Sequence, residues 1–146
     1  MRITPDTAIL VRANVNATGP ARELLQVIAR TGARLVLSPF ILNELARTLR
    51  YPRVQALYHL NSDEIAEHIQ YLESLADLVT PAEGPRIVIQ DPDDDPIVYT
   101  AVAGQADVIC TTDRHFYDPN VLSFCSRRRI LVMTDLQLLH ALRSLD

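Results

Sequence analysis

Lysine is missing altogether: every one of the 14 basic residues is an arginine. That absence argues against a receiver-like signalling domain, which needs a lysine beside its phosphoacceptor aspartate. Cysteine is scarce as well. Cys110 and Cys125 have no metal-binding spacing and suit a reducing compartment better than a disulfide framework. No apolar run approaches the length that spans a bilayer. The stretch Met1-Arg2-Ile3-Thr4-Pro5-Asp6 lacks the uninterrupted apolar core of a signal peptide, so the expectation is a soluble, cytoplasmic protein without a membrane partner. Positive charge is in the minority, and the net charge of -4 argues against broad electrostatic binding to duplex DNA. Arginine nevertheless suits phosphate through its planar, bidentate fork. Repeats, low-complexity segments and linkers are absent too. With 48% hydrophobic residues, the 146 positions read as one domain, 1–146, with enough apolar side chains for a substantial core.

What the chain has in excess is aspartate in one place, Asp91-Pro92-Asp93-Asp94-Asp95-Pro96, followed at once by the apolar Ile97, Val98 and Tyr99. Asp95 before Pro96 reads as a helix N-cap followed by proline at the first helical position. The helix dipole favours one acid there. It does not call for four. Like charges packed this closely raise one another's pKa values and cost stability unless a cation is bound. An isolated acidic run also reads as a solvated loop that opens a helix, and Asp91 and Asp93 are expected to serve that loop.

Other acids fall at the ends of elements. The apolar Ala8–Val11 stretch follows Asp6 and reads as part of a short first strand over 2–11, although Pro5 cannot donate to a ladder. Gly19-Pro20 opens a helix that Thr31-Gly32 closes, and Arg34–Leu37 reads as a buried strand. Ser38-Pro39 opens a second helix, with Leu42, Leu45 and Leu49 on one side and Glu44 at the border of that stripe. Ser62 is expected to cap a third helix, and Leu78–Val79 to form a short strand. After the helix from Pro96 to Ala103, Asp107–Thr112 reads as a buried strand that delivers Asp113 at its carboxyl end. Ile130–Met133 follows as a strand, and Thr134-Asp135-Leu136-Gln137 is a capping box for a last helix. Strands alternating with helices imply a three-layer α/β/α sandwich around a mainly parallel sheet. In such sheets ligands bind beyond the carboxyl ends of the strands, where Asp6 and Asp113 would sit.

Hard oxygen donors without a cysteine or histidine cluster suit Mg²⁺ or Mn²⁺ rather than zinc, and such ions activate water and stabilise phosphoryl displacement. The ordered set Asp6-Thr7, Ser38-Pro39 with Glu44, the Asp-Pro-Asp-Asp-Asp-Pro run and Thr111-Thr112-Asp113 resembles the PIN domain nucleases, especially the toxin branch of toxin–antitoxin modules related to VapC. The resemblance implies Asp6, Glu44, Asp95 and Asp113 as catalytic and metal-holding acids, with Asp94 as a further matched position. It also implies Thr111 as a hydrogen-bond partner of the site. The implied function is a divalent-metal-dependent endoribonuclease acting on single-stranded RNA, associating as a homodimer and inhibited by a cognate antitoxin protein. Three positions depart from the family's pattern. Ala8 stands where asparagine is usual, Pro5 where an aliphatic residue is usual, and His115 where a final acid is usual. His115 reads either as an exposed helix-start residue or as a contact for substrate phosphate. Arg127–Arg129 reads as a solvated loop or, less simply, an RNA-backbone contact. These departures keep a second reading open, a catalytically eroded domain that binds RNA or a protein without cleaving. A phosphatase with an Asp-x-Asp nucleophile fits less well, because Asp6-Thr7-Ala8 lacks the second aspartate.

Overall fold

A computed structural model describes residues 1–145. Five short strands run parallel: β1 (Arg2–Pro5), β2 (Arg34–Leu37), β3 (Ala76–Leu78), β4 (Val108–Cys110) and β5 (Leu131–Met133). Their order across the sheet is β3-β2-β1-β4-β5. The chain builds outward from β1 in one direction, then returns to fill the other side, so the order reverses at β1. In an open parallel sheet that reversal leaves a crevice at the carboxyl ends of the central strands.

Among the described residues, eight helices complete the α/β/α sandwich: α1 (Thr7–Arg12), α2 (Pro20–Thr31), α3 (Pro39–Leu49), α4 (Pro52–Tyr58), α5 (Ser62–Ser74), α6 (Asp95–Ala103), α7 (Pro119–Ser126) and α8 (Asp135–Arg143). The core is aliphatic, with Ile3, Leu35, Leu37, Ile41, Leu45 and Ile109 almost fully buried. Among the described residues, no helix is long and apolar enough to cross a membrane.

Several boundaries differ from the sequence reading. Ala8–Val11 is helix α1, not strand. The strand stops at Pro5, and the Asp6 side chain then accepts a hydrogen bond from Ile9 N at 2.9 Å, the signature of an N-cap. Asn61 caps α5 in place of Ser62, exchanging hydrogen bonds with Glu64 in a capping box. Helices α4 and α7 were not expected, and α4 buries none of its residues. Pro5 does lie in the central strand. It is the last residue there, and the Thr4 hydroxyl donates to Val36 O at 3.1 Å on the side where proline has no N–H to offer. The expected closures at Gly32 (φ 77°) and the Thr134–Gln137 capping box are present.

Helix α6 is fixed hard against the sheet. Ile97, Val98 and Ala101 are buried, and Gly104 sits where a Cβ would meet Val36 Cγ1 at 2.1 Å. Each large side chain so buried contributes roughly 1.5–3 kcal/mol, which offsets repulsion among the aspartates at the helix start. The irregular segment over residues 79–91 is tied down by side chains that grip its backbone. The Tyr99 hydroxyl is shared between Gly84 O and Pro85 O, and Asn120 Nδ2 donates to Ile87 O at 2.8 Å.

Candidate metal centre

Four segments bring carboxylates to the crevice. Asp6 follows β1, and its backbone N–H donates to Cys110 O, which locks it beside the end of β4. One carboxylate oxygen caps α1; the other accepts a short hydrogen bond from the Thr111 hydroxyl. The same Thr111 oxygen accepts from Asp113 N at 3.0 Å, so one buried threonine sets the spacing of both aspartates. Glu44 reaches in from α3, half-buried. Asp94 enters from the acidic run, at the end of the 3₁₀ turn Pro92–Asp94. Asp6, Glu44, Asp94 and Asp113 line a cavity of about 210 Å³ together with Thr7, Ala8, Ile97 and Thr112.

Asp95, expected among these acids, is not there. It is itself the first residue of α6 (φ −55°, ψ −40°), and Asp94 takes the cap position one residue earlier than the sequence suggested. Adjacent residues on a helical backbone point about 100° apart. Asp95 therefore turns the other way, is only 4% exposed, and accepts hydrogen bonds from Ile87 N (3.1 Å) and Val88 N (2.7 Å). Its nearest cation is Arg86, with Nε at 3.9 Å. It faces a separate cavity of about 440 Å³ bordered by Phe40, Arg86 and Tyr99.

Two further residues join: Asp91, expected only to serve the loop, and His115, expected either at an exposed helix start or as a supporting contact for substrate phosphate. Asp91 N-caps the 3₁₀ turn through Asp93 N, and His115 lies two residues past Asp113, whose Oδ1 accepts from His115 N at 3.0 Å. One donor atom each from Asp91, Asp94, Asp113 and His115 lies within 4.8 Å of all the others. The signals were present in the sequence as i, i+2 and i, i+3 spacings, but only the tight turns make those neighbours converge.

Negative charge dominates the electrostatics of the cleft. Asp94 Oδ2 is shut off from solvent without a hydrogen-bond partner. Burial, the neighbouring Asp113 carboxyl and the charges of Asp91, Asp113 and Asp6 push the Asp94 carboxyl up to about 8. Asp6 is also raised, by burial first, against the opposing pull of Thr111, Ile9 N and Arg12. Among the described residues, no hydrogen bond or ion pair engages the Glu44 carboxylate. A divalent ion matches this donor set, because hard oxygens lacking counter-charge are its preferred surroundings. Arg12, whose charge opposes the rise of Asp6, lies 3.6 Å from Asp135 and donates to Thr112 at 3.4 Å.

A family model described as PIN domain matches residues 2–115. No curated protein and no solved structure matches the chain.

Proposed function

The chain belongs to the PIN domain family, whose members act as metal-dependent nucleases, and on that premise we propose that it is an endoribonuclease hydrolysing phosphodiester bonds of single-stranded RNA. The observation that carries this reading is the convergence of Asp6, Glu44, Asp94 and Asp113 in one cleft with too little positive charge to balance them. Asp6, Glu44, Asp94 and Asp113 would hold Mg²⁺ or Mn²⁺, and Thr111 sets the spacing of Asp6 and Asp113. The bound ion supplies charge neutralisation at the phosphoryl group and an activated water. Arg12, half-exposed at the rim, offers its guanidinium to the RNA backbone.

Preference for single strands is supported by the second cavity on the far side of Asp95, whose Phe40 and Tyr99 rings offer stacking surface to unpaired bases. By the same reading the chain is one domain over 1–146. It is the toxin of a toxin–antitoxin pair, cytoplasmic, homodimeric, and silenced by its antitoxin protein. RNA cleavage in Mg²⁺ or Mn²⁺, measured beside Asp6→Asn, tests the proposal. Asparagine keeps an oxygen for Ile9 N, so the variant folds; equal activity in both proteins would end the assignment.

The exposed Ala8 at the cleft, in the place of an asparagine, favours one rival, the eroded domain that binds without cleaving. Metal titration separates the two. Saturable binding at millimolar Mg²⁺ or Mn²⁺ supports the nuclease, and its absence supports the rival.

A further inference from the structure

An acidic wall by itself marks no ligand, but polar atoms of Thr7, Asp94 and His115 lack partners, and Asp94 belongs both to the cavity and to the donor cluster that holds His115. Thr7, 6% exposed, lines that cavity with Oγ1 unpaired; Asp94 Oδ2 is buried and unpaired; His115 Nδ1 is closed off from solvent and hydrogen-bonds to nothing. The nearest acceptor to His115 Nδ1 is Asp113 Oδ1 at 3.6 Å, too far for a hydrogen bond. The backbone N–H of His115 donates to that same Oδ1, and this turn holds the ring beside the carboxylate.

We infer that His115 is a nitrogen ligand that, with Asp91, joins the Asp94 and Asp113 carboxylates already assigned to the ion, giving a mixed donor set that makes the site select Mn²⁺ over Mg²⁺. This rests on the metal-dependent reading above and adds to it which ion is held and by what. Donors around one such ion at about 2.1 Å lie at most about 4.2 Å apart across it, so the observed 4.8 Å spread closes with small side-chain rotations. Magnesium demands near-ideal oxygen octahedra and keeps its waters. Imidazole shifts preference toward later first-row ions, of which manganese still accepts a mainly carboxylate shell. Thr7, its Oγ1 unpaired, lines the cavity that Asp94 and Asp113 share.

The test uses the full chain loaded with Mn²⁺ and reads coordination instead of cleavage. The electron spin-echo envelope should carry nitrogen modulation from one imidazole, altered when histidine is isotopically labelled and lost in His115→Gln. In competition titrations, His115→Asp should reduce the preference for Mn²⁺ over Mg²⁺ by about tenfold or more. Both substitutions keep the backbone N–H that makes the turn. Saturable Mn²⁺ binding without nitrogen modulation, or modulation that survives His115→Gln, overturns this inference and leaves the nuclease reading standing. Absence of saturable binding in the wild type overturns both, whereas Mn²⁺ binding with no RNA cleavage overturns only the nuclease reading.

Discussion

The two ends of the sheet keep their aspartates in opposite company. Near the amino-terminal edge, Asp77 meets Arg2 at 2.5 Å and Arg34 at 3.0 Å, and Asp107 accepts from Arg2 N at 2.8 Å. Those two hydrogen-bonded guanidinium groups, Arg2 first, hold the Asp77 carboxyl below its ordinary range. At the carboxyl edge, acids meet acids, and Asp94 is raised. One residue type thus serves as a fastening at one edge and as a poised, unbalanced charge at the other. The difference lies entirely in whether the facing strand starts carry arginine. A fold keeps such an imbalance only if something else holds it together, and here the buried face of α6 does so.

Substitutions can break this comparison. The largest effect is expected from Asp94→Asn. On the proposed nuclease reading, removing this carboxylate costs several kcal/mol of transition-state stabilisation, so RNA cleavage should fall by about 100-fold or more. The metal-free variant should melt at a higher temperature than the wild type, because like-charge repulsion is relieved. Cleavage assays and calorimetry on the same preparation check both halves.

Next comes pH. The Asp94 carboxyl titrates near 8 when folded, above its unfolded value, so its contribution to stability without metal is full at pH below the unfolded pKa and fades as pH rises through about 8. Metal must displace that proton. The apparent Mn²⁺ affinity should therefore rise about tenfold per pH unit up to about pH 8 and level off above it, as titrations at several pH values would register.

Asp95→Ala should act on stability instead of metal. It strands two buried backbone N–H groups at a cost of about 1–3 kcal/mol each, and hydrogen exchange should quicken at Ile87 and Val88 while Mn²⁺ affinity changes little. Loss of metal binding equal to that of Asp94→Asn would restore Asp95 to the ion. Asp77→Asn should give the smallest effect, a slight fall in melting temperature that added salt diminishes, since its ion pairs are exposed.

Strand positions were legible because buried parallel strands are rich in apolar residues, and an aspartate shortly past one stands out, as Asp6 does after β1 and Asp113 does beyond β4. Glu44 was visible as an acid on the border of an apolar stripe. Helix α1 was misread because a short apolar run fits strand and helix alike, and the deciding fact, Asp6 capping Ile9 N, is three-dimensional. Helix α4 gave no signal because it buries nothing. The choice between Asp94 and Asp95 turned on a one-residue shift in where the helix begins, finer than composition resolves. Asp91 and His115 depend on turns whose closure the sequence only hints at.

The ties on the segment between β3 and α6 have a consequence for how this protein tolerates change. The hydrogen bonds of Asp95, Tyr99 and Asn120 there go to peptide N–H and C=O groups, and Arg86 adds a side-chain ion pair to Asp95. The segment's other exposed letters are therefore free to drift, while its span is gauged by fixed anchor points. Relatives should vary widely in spelling across this stretch and hardly at all in its length.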